Sequence, residues 1–156
     1  MKTLALPALA GLITVFATSA LCQPQAASMA DWKRAVGCVA LMDKKALENE
    51  RATASLSAAM RQDPKMVAQV PLMQRDQSAA LAQTRGLSKT MLGKADAMLA
   101  ANYETWARAA ALPPAAELAR REREEATRIA ARPNNPFALI KAIDDQHCED
   151  FLVGDR

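Results

Sequence analysis

Prolines divide this chain into helical lengths. Pro64, Pro71, the Pro113-Pro114 pair and Pro136 all lack the backbone N–H that a helix interior uses, so each belongs at an element boundary or in a first turn. Between these breaks, apolar residues recur at steps of three and four. In the first length Ala35, Val39, Met42, Ala46, Thr53, Leu56 and Met60 form one row, interrupted at Asn49 and widened near its start by Trp32 and Val36. Ser28 followed three residues later by Asp31 predicts a capped helix start, and Asp63-Pro64 predicts the stop. A separate turn of helix is expected over 64–70, followed by a long helix over 72–111. Its second half carries two adjacent stripes, Leu87, Met91, Ala95 and Met98 beside Leu92, Leu99 and Trp106, which together make a broad buried face.

Leu112-Pro113-Pro114 stops that helix and restarts the chain as a third, over 115–132. Its pairs Glu117–Arg121, Arg120–Glu124, Arg121–Glu125 and Glu124–Arg128 are four apart, the spacing of supportive ion pairs on a solvated face. Acids stand among the arginines, so this is not a basic recognition helix. Asn135 before Pro136 predicts a cap for a final helix over 136–152, with Phe137, Ile140, Ile143, His147 and Phe151 as its apolar row.

Composition supports the same class. Hydrophobic residues make up 51% of the 156-residue chain but aromatics only 4%, so the core must be built from Ala, Leu, Met, Val and Ile, which with Gln, Glu, Lys and Arg supply mostly good helix formers. Five glycines and one tyrosine argue against a sheet. Gly37, inside the first helix, costs about 1 kcal/mol relative to Ala, so a close neighbour is expected there. The expected fold is all-α, a small antiparallel bundle of about four helices, two long and two shorter, forming a single domain over 29–156. The first helix is too long for the last to cover, so part of the long hairpin should protrude or curve.

The first twenty residues read as an export signal: Lys2, an apolar run from Leu4 to Phe16, then Thr18-Ser19-Ala20 as small residues before a cut after Ala20. Residues 21–28 read as a flexible lead-in. The apolar run is short for a membrane span and contains Pro7 and Gly11, so no stable transmembrane segment is expected after signal removal. Lipidation of Cys22 is the lesser alternative, because Leu21 stands where Gly, Ala or Ser normally precedes a modified cysteine. Loss of Lys2 leaves 19 basic against 17 acidic residues, a net +2 without a concentrated basic face. Nucleic acid is therefore not an expected partner.

The only histidine, His147, precedes Cys148, and neighbours on a helix point about 100° apart. Nucleophilic catalysis would need a second base, and no other histidine exists. Asp144 and His147, three apart, are a metal-binding alternative that lacks a third ligand. In an exported chain cysteines tend to pair, and Cys22 lies beside the cleavage region, so the expected disulfide is Cys38–Cys148, stapling the first helix to the last. No catalytic residue, cofactor or resident metal is expected. The expected role is a noncatalytic interaction or structural protein, periplasmic or secreted, with a protein or envelope component as partner; the alternative is a carrier or sensor of a small ligand or metal ion held between helices.

Overall fold

The computed structural model describes residues 27–152. The export signal, its cleavage site, Cys22 and most of the lead-in lie outside the described residues. Helix α1 (Met29–Gln62) and helix α2 (Val70–Ala109) form a long antiparallel hairpin, joined through a short 3-10 turn over Val67–Gln69. Helix α3 (Ala115–Ala130), helix α4 (Pro136–Asp145) and a terminal 3-10 turn (Cys148–Phe151) follow. Helix α1 is the hub: α2, α3, α4 and the terminal turn all pack against it. Among the described residues there is no strand, and the protein is a small all-α bundle stapled by a disulfide.

The helix ends follow local chemistry. At the start of α1 the Asp31 N–H donates to Ser28 Oγ at 3.1 Å while the Ser28 N–H and hydroxyl donate to Asp31 Oδ2 at 3.2 and 2.6 Å, a reciprocal capping box. The Asn135 side chain accepts from the Ala138 N–H at 2.8 Å, and Pro136 opens α4. Pro71 falls in the first turn of α2, where its missing N–H breaks no hydrogen bond. That helix begins at Val70, two residues earlier than the sequence suggests, because the preceding 3-10 turn leads straight into it. On α3, Arg121 meets Glu117 at 2.5 Å and Arg120 meets Glu124 at 2.6 Å as expected. Arg128 pairs with Glu125 rather than Glu124.

Two carboxylates give the protein an acid-sensitive component. The Ser28 hydrogen bonds, side chain first, lower the Asp31 pKa below its ordinary value of 3.8. Hydrogen bonds from Arg120 and Arg121 take Glu117 from 4.5 to about 2. A carboxylate with a depressed folded-state pKa stabilises the native chain above its unfolded value, and that contribution disappears as pH falls through the folded one. Both contributions are therefore complete above pH 4.5 and decline below it, Glu117's down to about pH 2. Thermal melts across this interval should show Tm falling less steeply in Glu117→Gln than in the parent. Equal slopes would show that the arginine contacts do not persist in solution. Independently, Ser28→Ala should cost about 1 kcal/mol at neutral pH, read by urea denaturation.

The core occupies one end of the hairpin. Trp32, Ala35, Val36, Cys38, Leu41 and Met42 of α1 face Met91, Ala95 and Leu99 of α2, and Leu118, Ala126 and Ala130 of α3 close another side. The two stripes read from α2 supply this face, with Leu87, Met98 and Trp106 half-buried at its margin. Ala35 and Ala95 are fully buried, and side chains this small allow α1 and α2 to approach closely. Tyr103 Oη donates to the Pro113 carbonyl at 2.8 Å, fixing the turn from α2 into α3.

Toward its tip the hairpin changes character. Leu56, placed in the buried row by its spacing, is 49% exposed, and the neighbouring Ser57 is buried instead. The seam there is polar: Gln74 Nε2 donates to Ser57 Oγ and Thr53 Oγ1 to Gln77 Oε1, both at 3.4 Å, while Ser88 Oγ donates to Asp43 Oδ1 at 2.6 Å where the core ends. The buried cluster includes no residue of α1 beyond Met42 and none of α2 before Leu87, so Leu56 lies outside it. The hairpin does extend past the core, as its length implies.

All three glycines of the described residues, Gly37, Gly86 and Gly93, stand where alanine fits. A Cβ on Gly37 would meet Gln146 Oε1 at 3.6 Å, ordinary contact, and one on Gly93 would meet nothing within 4 Å. The expected close packing at Gly37 is thus looser than a glycine requires. Gly37→Ala and Gly93→Ala should each stabilise the fold by about 0.5–1 kcal/mol, raising the urea midpoint without changing the slope. Destabilisation at either position would refute the geometry given for it.

Candidate functional site

The last seventeen described residues depart most from the helical pattern. The expected helix over 136–152 ends at Asp145, and His147 takes a left-handed conformation with φ 49° and ψ 48°. This break resets the phase. The buried side of α4 is Leu139, flanked by half-buried Ala142 and Ile143, whereas Phe137 is 84% exposed and Ile140 48% exposed. Phe151 is buried, but from the terminal turn, so the apolar row Phe137, Ile140, Ile143, His147, Phe151 is corrected to a Leu139-centred stripe plus a separate anchor. The physical reason is the break itself: the left-handed His147 takes the terminal turn out of the phase of α4, and from that turn Cys148 bonds to α1.

Cys38 and Cys148 form that bond, with S–S 2.05 Å and Cα–Cα 5.5 Å, and both are buried. Around it the charges are matched. Arg34 reaches Asp150 at 3.4 Å and Asp31 at 3.5 Å, and its guanidinium lies 4.9 Å from the Phe151 ring centroid. Arg34 is thus one of the cations of α1 near the acidic C-terminal run, and it offsets Asp150. Another, Lys33, pairs with Glu122 of α3 at 3.0 Å. Lys44 points away from the acids of 144–150: its ammonium donates to the carbonyls of Ala131 and Pro133, holding the α3–α4 loop to α1.

His147 does not share a helix face with Asp144. Its backbone N–H donates to the Asp144 carbonyl at 2.9 Å, while its ring is largely exposed with Nδ1 3.8 Å from Glu149. The spacing argument for an Asp144 and His147 metal pair assumed a continuous helix, which ends before His147. Among the described residues no group of three or more His, Cys, Asp or Glu side chains is placed to hold a metal ion.

Among the described residues, open clefts flank α1. One of about 410 Å³ lies between α1, α3 and the end of α4, with Gly37, Leu41 and Ile129 below and the Lys33–Glu122 pair at its edge. A second, of about 540 Å³, follows the polar hairpin seam past Thr53, Ser57 and Gln77. The third, of about 590 Å³, runs between α1 and the end of α3, floored by Ala40, Leu47, Ala130 and Pro133 and rimmed by Lys44 and Arg51. These volumes lie within the range of roughly 300–1,000 Å³ typical of small-molecule sites. In the third cleft two of the polar groups are engaged structurally: Asp43 accepts from Ser88, and Glu48 meets Lys44 at 3.4 Å. The arrangement offers concave surface on three sides of α1.

The exposed pair Phe137 and Ile140, three apart on α4, is the feature that periodicity misassigned. Spacing alone gives two competing stripes on so short a helix. Among the described residues no helix is long and apolar enough to cross a membrane. Comparison with protein-family models, curated proteins and solved structures finds no match to this chain.

Proposed function

We propose that this protein is a noncatalytic interaction protein of the periplasm or cell exterior that binds a protein or envelope component through its helical surface. The observation that carries the reading is Phe137, which is 84% exposed and stands beside Ile140 on a helix tethered covalently to the core. Isolated surface apolar residues are ordinary, but an outward aromatic paired at helical spacing on an anchored element suits recognition by an apolar partner. The disulfide supports maturation in an oxidising compartment. A photo-crosslinking residue at position 137, introduced into the chain in its native host, should yield a discrete adduct that Ile140→Asp abolishes. Absence of any adduct, with full expression of the folded protein, would reject the role of this face.

A second reading is favoured by one observation, the cleft floored by Leu47 and Ala130: a carrier of a small amphipathic ligand. Native mass spectrometry of protein isolated from its own compartment distinguishes the two. A stoichiometric adduct lost in Ala130→Leu would favour the carrier, whereas unliganded protein would leave the interaction reading.

A further inference from the structure

We infer that α4 with its terminal turn is a redox-gated clasp: the Cys38–Cys148 bond holds it on α1, and reduction releases it as a unit from a bundle that stays folded. The noncovalent hold is thin. Of the ten residues of α4 only Leu139 is buried, and the terminal turn adds Phe151 beside Cys148. Helices shorter than about 12–15 residues are marginal in water without tertiary support, so α4 depends on its docking to remain formed. From α1, Arg34 reaches Asp150 at 3.4 Å between partly exposed side chains, a kind of pair that contributes little, and its guanidinium adds a contact 4.9 Å from the Phe151 ring centroid.

Backbone conformation points the same way. His147, immediately before the bonded cysteine, is the one non-glycine residue with positive φ among the described residues. Left-handed backbone is unfavourable for such a residue and persists where its surroundings enforce it. Reduction removes the nearest enforcing contact. The remaining bundle has its own core, with Trp32, Val36, Met42, Met91, Leu99 and Leu118 on α1, α2 and α3. None of these belongs to the clasp.

The chemistry balances with an external dithiol as reductant. One of its thiolates attacks a sulfur of the Cys38–Cys148 bond and forms a mixed disulfide; its second thiol then displaces the protein sulfur, leaving two cysteine thiols and an oxidised reductant. Both protein sulfurs are buried, so exchange proceeds from local openings of the terminal turn. Release brings the α1 strip around Cys38 and Leu41 into water together with Leu139 and Phe151 of the freed segment. An apolar surface then exists in the dithiol form and is closed in the disulfide form, which gives a thiol–disulfide oxidoreductase a means of distinguishing the two.

Hydrogen exchange of the full chain, before and after dithiothreitol under native conditions, tests this, with free thiols counted in parallel. Amides of 136–152 should lose about 100-fold or more of their protection while those of 91–99 and 118–130 change by only a few-fold. The variant Cys38→Ala/Cys148→Ala should show the same pattern without reductant. Unchanged protection over 136–152 in that variant would overturn the clasp, and so would loss in α2 and α3 in step with it. A bond that resists excess dithiothreitol would overturn the gate.

Discussion

Trp32→Ala lowers stability by about 3–5 kcal/mol, the expected loss for truncating a fully buried aromatic side chain. Trp32 is 1% exposed and sits where α1 and α2 meet, its ring centroid 6.0 Å from that of Trp106 at an interplanar angle of 40°. The loss should be large because aromatic side chains are scarce in this chain, and the neighbouring Ala35 and Ala95 have no mass to fill the void. Trp106 is half-buried, so Trp106→Ala should cost less. A double-mutant cycle on the pair isolates the ring contact, expected at about 0.5–1.5 kcal/mol, from the cavity term. Urea denaturation followed by far-UV circular dichroism measures all three variants. A loss below about 1 kcal/mol for Trp32→Ala would mean the hairpin does not pack around this ring.

The second large effect belongs to the disulfide. Cys38 and Cys148 are 110 residues apart, and in the chain-entropy model a crosslink closing a loop of that size contributes about 4–5 kcal/mol, chiefly by restricting the unfolded chain. Cys38→Ala/Cys148→Ala should approach that loss as an upper value, with the urea slope reporting any change in denatured-state compactness. Single replacements should be similar, since either removes the same bond. The tryptophans report the hairpin core and amides over 136–152 report the clasp. The two signals should transit together in oxidised protein and separate in the bond-free variant.

Much of the architecture was legible because proline and capping chemistry act locally. Ser28 with Asp31, Asn135 with Pro136, and Asp63 before Pro64 mark helix ends without reference to anything distant. The two stripes of α2 were legible too, since Met91, Ala95 and Leu99 lie on the covered half of a long helix, where many turns average out any ambiguity of phase. The Cys38–Cys148 pairing followed from the export reading, with Cys22 set aside for its place beside the cleavage region. Leu56 escaped that logic because burial needs a covering element as well as a periodic row.

The candidate site was the least legible part. On ten residues, Phe137 and Ile140 compete with Leu139 and Ala142 as plausible inner stripes, and spacing cannot choose between them. Residue chemistry by itself determined the helices and most of their limits, because hydrogen-bond capping, the missing proline N–H and side-chain periodicity operate within a few turns; the sulfur pair followed instead from the oxidising compartment that the leading segment implies. Only the tertiary structure decided which side of α4 meets α1, that the last helix breaks before His147, and which half of the hairpin is left uncovered. Those outcomes depend on where a distant segment lies, which periodicity within ten residues of helix does not carry.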